Sequence, residues 1–378
     1  MKSFIPPGKT IGIFGGGQLG RMFTIAAKQM GYYVHTYSNE ELCPASEISD
    51  FHTFAEYEDL DKVKAFAKQT DVVTFEFENI PVAAAREAAA QTIVAPEPEV
   101  LFIAQNRQRE KTFLSKSGFP VTPFVVPMLE NQLDEILTRF PQGVVLKTAN
   151  SGYDGKGQAI CRTTKELSQA WNGLGEGQKI VEKLINIEAE LSFIVARQRS
   201  GDKIVYGPFG NVHKNHILDS SVFPFNLPEA LLKQGKEIVL DLAEQLKLVG
   251  ILCVEFFLTK EGELLINEIA PRTHNSGHLT IEAFNISQFE LHLRAITGMP
   301  LGNGLFFKPA CMVNLLGDVW GKKEPKWQEL SKYPDVKLHL YGKKEAKKGR
   351  KMGHLTCLAD SVEEAYSRAI SAREAISY

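Results

Sequence analysis

The stretch Gly152-Tyr153-Asp154-Gly155-Lys156-Gly157-Gln158 follows a predicted strand ending in Lys147, and much later in the chain stand two acidic residues, Glu255 and Glu268. Glycines let a backbone fold over phosphates and aim N–H groups at them; lysines add cations, and paired carboxylates hold a hard divalent ion. These types in this order read as a site for ATP and Mg2+. The loop is not a Walker motif, because Lys156 is followed by Gly157 and not by Ser or Thr. A carboxylate among phosphate-binding glycines costs electrostatic energy. Asp154 is therefore read as a proton acceptor or substrate contact, with a plain turn residue as the alternative.

The acidic pair carries a sharper expectation. A hairpin whose turn is centred between Glu261 and Gly262 makes Glu255 and Glu268 directly opposed, with Cβ atoms about 4.5 to 5.5 Å apart. Like charges so placed repel, and both lie within apolar runs, so a cation is expected between them, with Asn267 as a further ligand. Two solvent-facing glutamates on an edge hairpin are the alternative.

Three other groups admit more than one reading. Gly15-x-Gly17-x-x-Gly20 after a strand matches the dinucleotide fingerprint, but the second strand ends Tyr37-Ser38-Asn39 without an acid at its tip. A tight turn, or an anion or substrate site at a helix N-terminus, competes with it. His274 and His278 lack further ligands at metal spacing, which favours a polar anion-binding loop. The basic turn with Lys343, Lys344, Lys347, Lys348, Arg350 and Lys351 is either a solvated loop or a clamp for a substrate phosphate.

The elements that must position these residues follow from hydrophobic periodicity. Thr10–Phe14 is a strand, the glycine turn opens a helix, and strands at 33–37 and 71–77 alternate with helices at 60–68 and 82–90. That alternation predicts a doubly wound parallel sheet over residues 1–97, with Pro96 and Pro98 at its exit. A single basic helix is expected at 101–117, then a small block resembling a lid at about 119–185, with strands at 143–147 and 179–185 around the glycine loop. Paired strands at 190–197 and 203–209, a helix at 231–246, the hairpin, and a helix opened by Ser287 complete a second domain over 98–298. Short strands and a last helix at 361–376 make a small β-rich third domain, 299–378.

Composition excludes several classes. With 378 residues, 44% hydrophobic, 23% charged and a net charge of −2, the chain fits an ordinary globular protein of two or three domains and not a general nucleic-acid binder. Five scattered cysteines without Cys-x-x-Cys argue against a disulfide framework or zinc knuckle. No signal-like or membrane-length apolar run is present, so a cytoplasmic location without a membrane partner is expected.

Taken together, the segments resemble the ATP-grasp enzymes, and among them the carboxylating ligases of purine synthesis. The resemblance spans essentially the whole chain. It is carried by Gly15-Gly16-Gly17-Gln18-Leu19-Gly20, Phe75-Glu76-Phe77-Glu78-Asn79, Lys147 with the glycine loop, Val254-Glu255-Phe256-Phe257, Asn267-Glu268-Ile269-Ala270-Pro271-Arg272 and Gly349-Arg350-Lys351-Met352-Gly353-His354. It implies a pre-ATP-grasp domain, a central ATP-grasp domain with a lid, and a C-terminal domain. It places Arg107, Lys147 and the glycine loop on the ATP phosphates, Glu182, Lys183, Leu184 and Ile185 at the adenine, Glu190 at the ribose with His213 near it, and Glu255 and Glu268 on Mg2+, with Asn267 beside them. It implies phosphorylation of bicarbonate to carboxyphosphate and carboxyl transfer to the exocyclic amine of 5-aminoimidazole ribonucleotide. Gln18, Leu19 and Glu76 would face the imidazole, Lys343 and Arg350 would hold the ribotide phosphate, Arg272 would orient bicarbonate, and Asp154 would accept the proton. A homodimer is implied as well. Because carboxyphosphate is labile, the resemblance also asks the 152–158 loop to exclude water.

Thr273, where the family usually has proline, and Asn150-Ser151, before the loop, depart from the pattern. Competing readings are another ATP-grasp ligase, of the formate-dependent glycinamide ribonucleotide transformylase or biotin carboxylase type, and a nucleotide-binding relative without turnover. Tyr153-Asp154 and the basic C-terminal turn favour the aminoimidazole substrate.

Overall fold

The computed structural model describes residues 4–150, 157–321 and 323–378. The first unit alternates strand and helix except between β2 and β3: β1 (Thr10–Phe14), α1 (Gln18–Gln29), β2 (Tyr33–Ser38), β3 (Phe51–Phe54), α2 (Leu60–Ala67), β4 (Val72–Phe75), α3 (Val82–Ala89) and β5 (Ile93–Val94). Its five strands are parallel in the order β3-β2-β1-β4-β5. The order reverses at β1, so the turn after β1 and the loop after β4 open onto one crevice at the carboxyl ends of the strands, where such sheets place ligands.

The basic helix expected at 101–117 is two helices, α4 (Pro98–Ala104) and α5 (Arg107–Lys116). Asn106 causes the break: its side chain accepts from Arg109 N–H at 3.0 Å and caps a new helix whose axis is reset. The restart turns Glu110 and Lys111 inward, where both are buried.

A four-stranded antiparallel sheet follows, ordered β6-β9-β7-β8, from β6 (Phe124–Val125), β7 (Val144–Thr148), β8 (Gln158–Cys161) and β9 (Lys179–Lys183). Helices α6 (Leu133–Arg139) and α7 (Thr164–Gly173) cover it, burying Leu133, Ile136, Leu146, Leu167 and Val181 together. Thr163 and Glu166 form a reciprocal cap on α7.

The largest sheet has eight strands in the order β14-β13-β10-β11-β12-β15-β17-β16. Its members are β10 (Ile187–Arg197), β11 (Lys203–Lys214), β12 (Ile217–Phe223), β13 (Gly250–Thr259), β14 (Leu264–Ala270), β15 (Ala310–Leu316), β16 (Val336–Leu340) and β17 (Lys351–Leu358). Helix α8 (Glu229–Gln245) packs Val239 and Leu242 onto Phe193, Val254 and Phe256 of one face. Short α9 (Thr280–Ala283) and α10 (Gln288–Thr297) cover part of the other, and α11 (Val362–Ile376) buries Ala365, Ala369 and Ala372 against the last strands. Strands after residue 298 thus extend the central sheet through the β12–β15 pairing. All five cysteines are buried and free, and no helix among the described residues is long and apolar enough to cross a membrane.

Candidate active site

The two glutamates face each other across β13 and β14, as Glu255↔Glu268. The hairpin reaches that pairing through a different turn and a bulge. The pairs nearest the turn, Leu258↔Leu264, Phe257↔Leu265 and Phe256↔Ile266, are centred on Glu261, half a residue earlier than expected. Between Glu255 and Phe256 the register shifts, and the extra residue is Asn267. This bulge restores the opposition and re-aims the side chains at a cleft, a recurrent use of bulges beside active sites.

The cleft has a volume of about 660 Å3 and is floored by Glu255, Asn267 and Glu268. The Glu268 carboxylate opens into it with no hydrogen-bond or ion-pair partner among the described residues. Desolvation on the cleft floor, and then the charge of Glu255, push its pKa up. Glu255 is treated oppositely. Burial alone would raise its pKa, but His274 Nε2 lies 2.8 Å from its Oε1 and, with His213, brings it down to about 2. His274 in turn, against the effect of its own burial, is lifted to about 10 by Cys253 and Glu255. It is the hydrogen-bonded partner of one carboxylate of the pair, whereas His278 points away into a buried cluster beside Gln288 and His354. The two histidines therefore do not form the joint anion-binding loop expected of them.

A carboxylate without a partner, facing a second one, is a charge arrangement that a bound cation relieves, and oxygen donors of this kind suit Mg2+. No group of three or more His, Cys, Asp or Glu residues among the described residues is arranged to hold a metal.

Cations line the opposite wall. Lys147, at the end of β7, lies 2.8 Å from Glu182 on the neighbouring β9. The other oxygen of Glu182 is 3.8 Å from buried Lys111. Burial would raise the pKa of Glu182, but Lys111 and Lys147 together bring it below the ordinary value. Arg107 also lines the cleft and donates to Thr148 O at 3.0 Å. Gln158 pairs in register with Lys147 across β7 and β8 and reaches His216 Nδ1 at 3.4 Å. Gly152, Tyr153, Asp154, Gly155 and Lys156 lie outside the described residues; Gly157, which is described, accepts from Thr148 N–H at 2.9 Å.

Lys183, Leu184 and Ile185 line the same cleft between β9 and β10. The N–H groups of Lys183 and Leu184 are taken by Pro123 O and Gly143 O. Farther along, Glu190 on β10 sits 3.0 Å from His213 Nδ1 on β11. Burial lowers the pKa of His213, and Glu190 and Glu255 more than reverse this.

The first unit closes the cleft with Gln18, Leu19, Glu76 and Glu78. Glu76, buried, accepts from Gly17 N–H and, at 2.7 Å, from Gly20 N–H. Its carboxylate thus fills the anion position that a dinucleotide pyrophosphate would take at the start of α1. A Cβ on Gly17 would come within 2.7 Å of Glu76 Oε1, so glycine is required by that contact. Lys343 Nζ reaches Gln18 Oε1 at 2.9 Å and Lys351 O at 2.7 Å. Arg350 lines a smaller adjoining cavity that Lys343 shares, not the main cleft. Arg272 lines the main cleft and forms a two-pronged ion pair with Glu78.

Sequence reasoning passed over Glu78, Glu110, Lys111 and His216, and did not join His274 to Glu255. Glu110 and Lys111 fall in the basic helix expected at 101–117; the cap at Asn106 is the signal that turns them inward. Glu78 lies in Phe75-Glu76-Phe77-Glu78-Asn79, but nothing in its spacing points to Arg272.

Family models match over three stretches: a ribonucleotide synthetase preATP-grasp domain at residues 8–105, an ATP-grasp domain at 112–289 and a phosphoribosylaminoimidazole carboxylase C-terminal domain at 310–368. The chain is 40% identical over 363 residues to the N5-carboxyaminoimidazole ribonucleotide synthase of Bacillus subtilis (strain 168), covering 96% of this chain and 95% of that protein. Among solved structures, an ADP complex of an N5-carboxyaminoimidazole ribonucleotide synthetase superposes with a TM-score of 0.92 at 40% identity, covering 98% of each chain. The Aspergillus clavatus N5-carboxyaminoimidazole synthase in complex with ADP and 5-aminoimidazole ribonucleotide superposes with a TM-score of 0.86 at 27% identity, covering 97% of this chain and 98% of that one.

Proposed function

Because the chain belongs to the N5-carboxyaminoimidazole ribonucleotide synthase family of ATP-grasp ligases, we propose that the cleft between its three sheets is where ATP, bicarbonate and 5-aminoimidazole ribonucleotide meet. The protein is an ATP-dependent ligase of purine biosynthesis. It carboxylates the exocyclic amine of the ribotide with bicarbonate, through carboxyphosphate, and yields ADP and phosphate.

The observation that carries the site reading is the Glu255–Glu268 opposition across from Lys147, with Arg272 and Lys343 in the same cleft. Glu255 and Glu268, with Asn267 beside them, are the residues that would hold Mg2+, and the ion would neutralise phosphate charge there. Arg107 and Lys147 offset the charge of the transferring phosphoryl group, where catalysis is mostly positioning and electrostatics. Glu182, Lys183, Leu184 and Ile185 border the adenine. The engaged N–H groups of Lys183 and Leu184 leave Ile185 N–H as the segment's donor to the ring among the described residues. Glu190, oriented by His213, takes the ribose hydroxyls.

Arg272 orients bicarbonate and then carboxyphosphate, which splits into phosphate and CO2, and the CO2 carbon receives the amine nitrogen. Asp154 is proposed to take the proton lost by that nitrogen, and the glycine loop around it to contact the phosphates; both rest on the family resemblance alone. Gln18, Leu19 and Glu76 border the imidazole, with Glu76 acting through the turn it clamps. Lys343 holds the ribotide phosphate, and Arg350 reaches it from the adjoining cavity. A homodimer is proposed on the same resemblance and is tested by light scattering of the purified chain; a cytoplasmic location is proposed from the five scattered, free cysteines.

ADP release measured with bicarbonate, with and without the ribotide, tests the reading. Ribotide-dependent turnover is expected. Ribotide-independent turnover would favour a biotin carboxylase type, and none at all a nucleotide-binding relative.

A further inference from the structure

Arg272 is not held by its own strand. It follows β14, yet its guanidinium is fixed by Glu78, which belongs to the loop after β4 in the first unit. Both oxygens of Glu78 are used: Oε2 takes Arg272 Nε–H, and Oε1 takes Nη2–H at 3.1 Å. Nη1 donates to Thr273 O at 3.1 Å. The loop carrying Glu78 is itself anchored, since its carbonyl accepts from Gln105 Nε2 at 2.6 Å. A guanidinium has five N–H donors in a rigid plane. Three are engaged here, leaving one on each terminal nitrogen of a group that lines the cleft. Two donors so spaced match two oxygens of a planar oxyanion.

We infer that Glu78 is a positioning residue that sets the plane of Arg272, so that its two remaining N–H groups face the oxyanion derived from bicarbonate. The inference rests on the role proposed for Arg272. It gives the first unit a part in the phosphorylation half of the reaction, beyond bordering the ribotide. Neither Glu78 nor Arg272 needs to change protonation, because the pair acts by geometry.

The test is Glu78→Gln, which keeps the side chain's shape and removes its charge. The expected result is a fall in kcat/KM for bicarbonate of about tenfold or more, with the ATP Michaelis constant changed less than about twofold. Phosphate released per mole of carboxylated ribotide, counted with radiolabelled bicarbonate, should rise above the wild-type ratio, because a misplaced intermediate is lost to water. Glu78→Asp, which keeps the charge but withdraws it, should fall between the two. A merely structural strut would lower the melting temperature and leave both the bicarbonate dependence and the coupling ratio at wild-type values, which would overturn the inference. Arg272→Lys separates the two layers. If it leaves bicarbonate kinetics unchanged, the reading of Arg272 fails; if it impairs them while Glu78→Gln does not, only the role of Glu78 fails. Should Glu78→Gln not fold, the Glu78→Asp measurement decides by the same criteria.

Discussion

Glu110 accepts a 2.6 Å hydrogen bond from the main-chain N–H of Ile269, the residue after Glu268. Its neighbour on α5, Lys111, donates to the carbonyl of Ile266 at 3.1 Å. Two adjacent buried side chains therefore grip the edge strand on either side of the Asn267 bulge. Glu110→Ala leaves a buried N–H without a partner, a loss of about 1 to 3 kcal/mol. It should also raise the Mg2+ concentration needed for half-maximal turnover, because the bulge that sets Glu268 is released. Glu110→Gln keeps an acceptor and should retain most of both. Urea melts and a magnesium titration of ADP release check this.

Glu268→Gln should cut turnover by about 100-fold or more while leaving the fold intact. Removing one of two facing negative charges relieves their repulsion, so the melting temperature without metal should hold or rise. Steady-state assays and a thermal melt on the same preparation check the two halves, and near-normal activity would remove Glu268 from the metal site.

Lys343→Ala should act chiefly on the ribotide, raising its Michaelis constant by about tenfold or more, the equivalent of about 1.4 kcal/mol, with the ATP constant little changed. Gln18→Ala, which removes the 2.9 Å partner of Lys343, should shift the same constant in the same direction by less.

His292, on α10, joins the central unit to the first: its Nε2 lies 2.8 Å from Thr74 Oγ1 on β4. Burial lowers its pKa to about 3. The unfolded chain has the ordinary value near 6.5, so below that pH the unfolded state binds the proton and the folded state does not. Stability is fully present above pH 6.5 and is lost as pH falls toward 3. Between pH 7 and pH 5 this one group accounts for about 2 kcal/mol of lost stability. His35, lowered to about 4 by burial and then by His52, adds to the same slope. Urea unfolding of wild type and His292→Gln at the two pH values checks it: the variant should show the smaller difference.

The parallel sheet and the hairpin were legible because each carries its own period: alternation of strand and helix around β1 to β5, and two apolar runs flanking Glu261-Gly262. The acidic pair was right in register, but for an incomplete reason. A turn half a residue earlier and a bulge at Asn267 offset one another, and a bulge leaves no mark in periodicity. The break at Asn106 is hidden in the sequence because no Gly or Pro separates α4 from α5, and one capping side chain decides between one helix and two. The bonds of Glu78 to Arg272 and of Glu110 to Ile269 join residues far apart in the chain. Their burial comes from long-range packing of separate elements, which local sequence does not encode.

Since β12 pairs with β15, the ladder that carries Glu255 and Glu268 at one end runs without interruption to β17, where Lys351 accepts from Lys343. Continuous backbone pairing thus joins the strands of the proposed metal pair to the strand beneath the proposed ribotide clamp. Trimming the chain after residue 298 would remove β15 and β17 and expose the raw edge of β12.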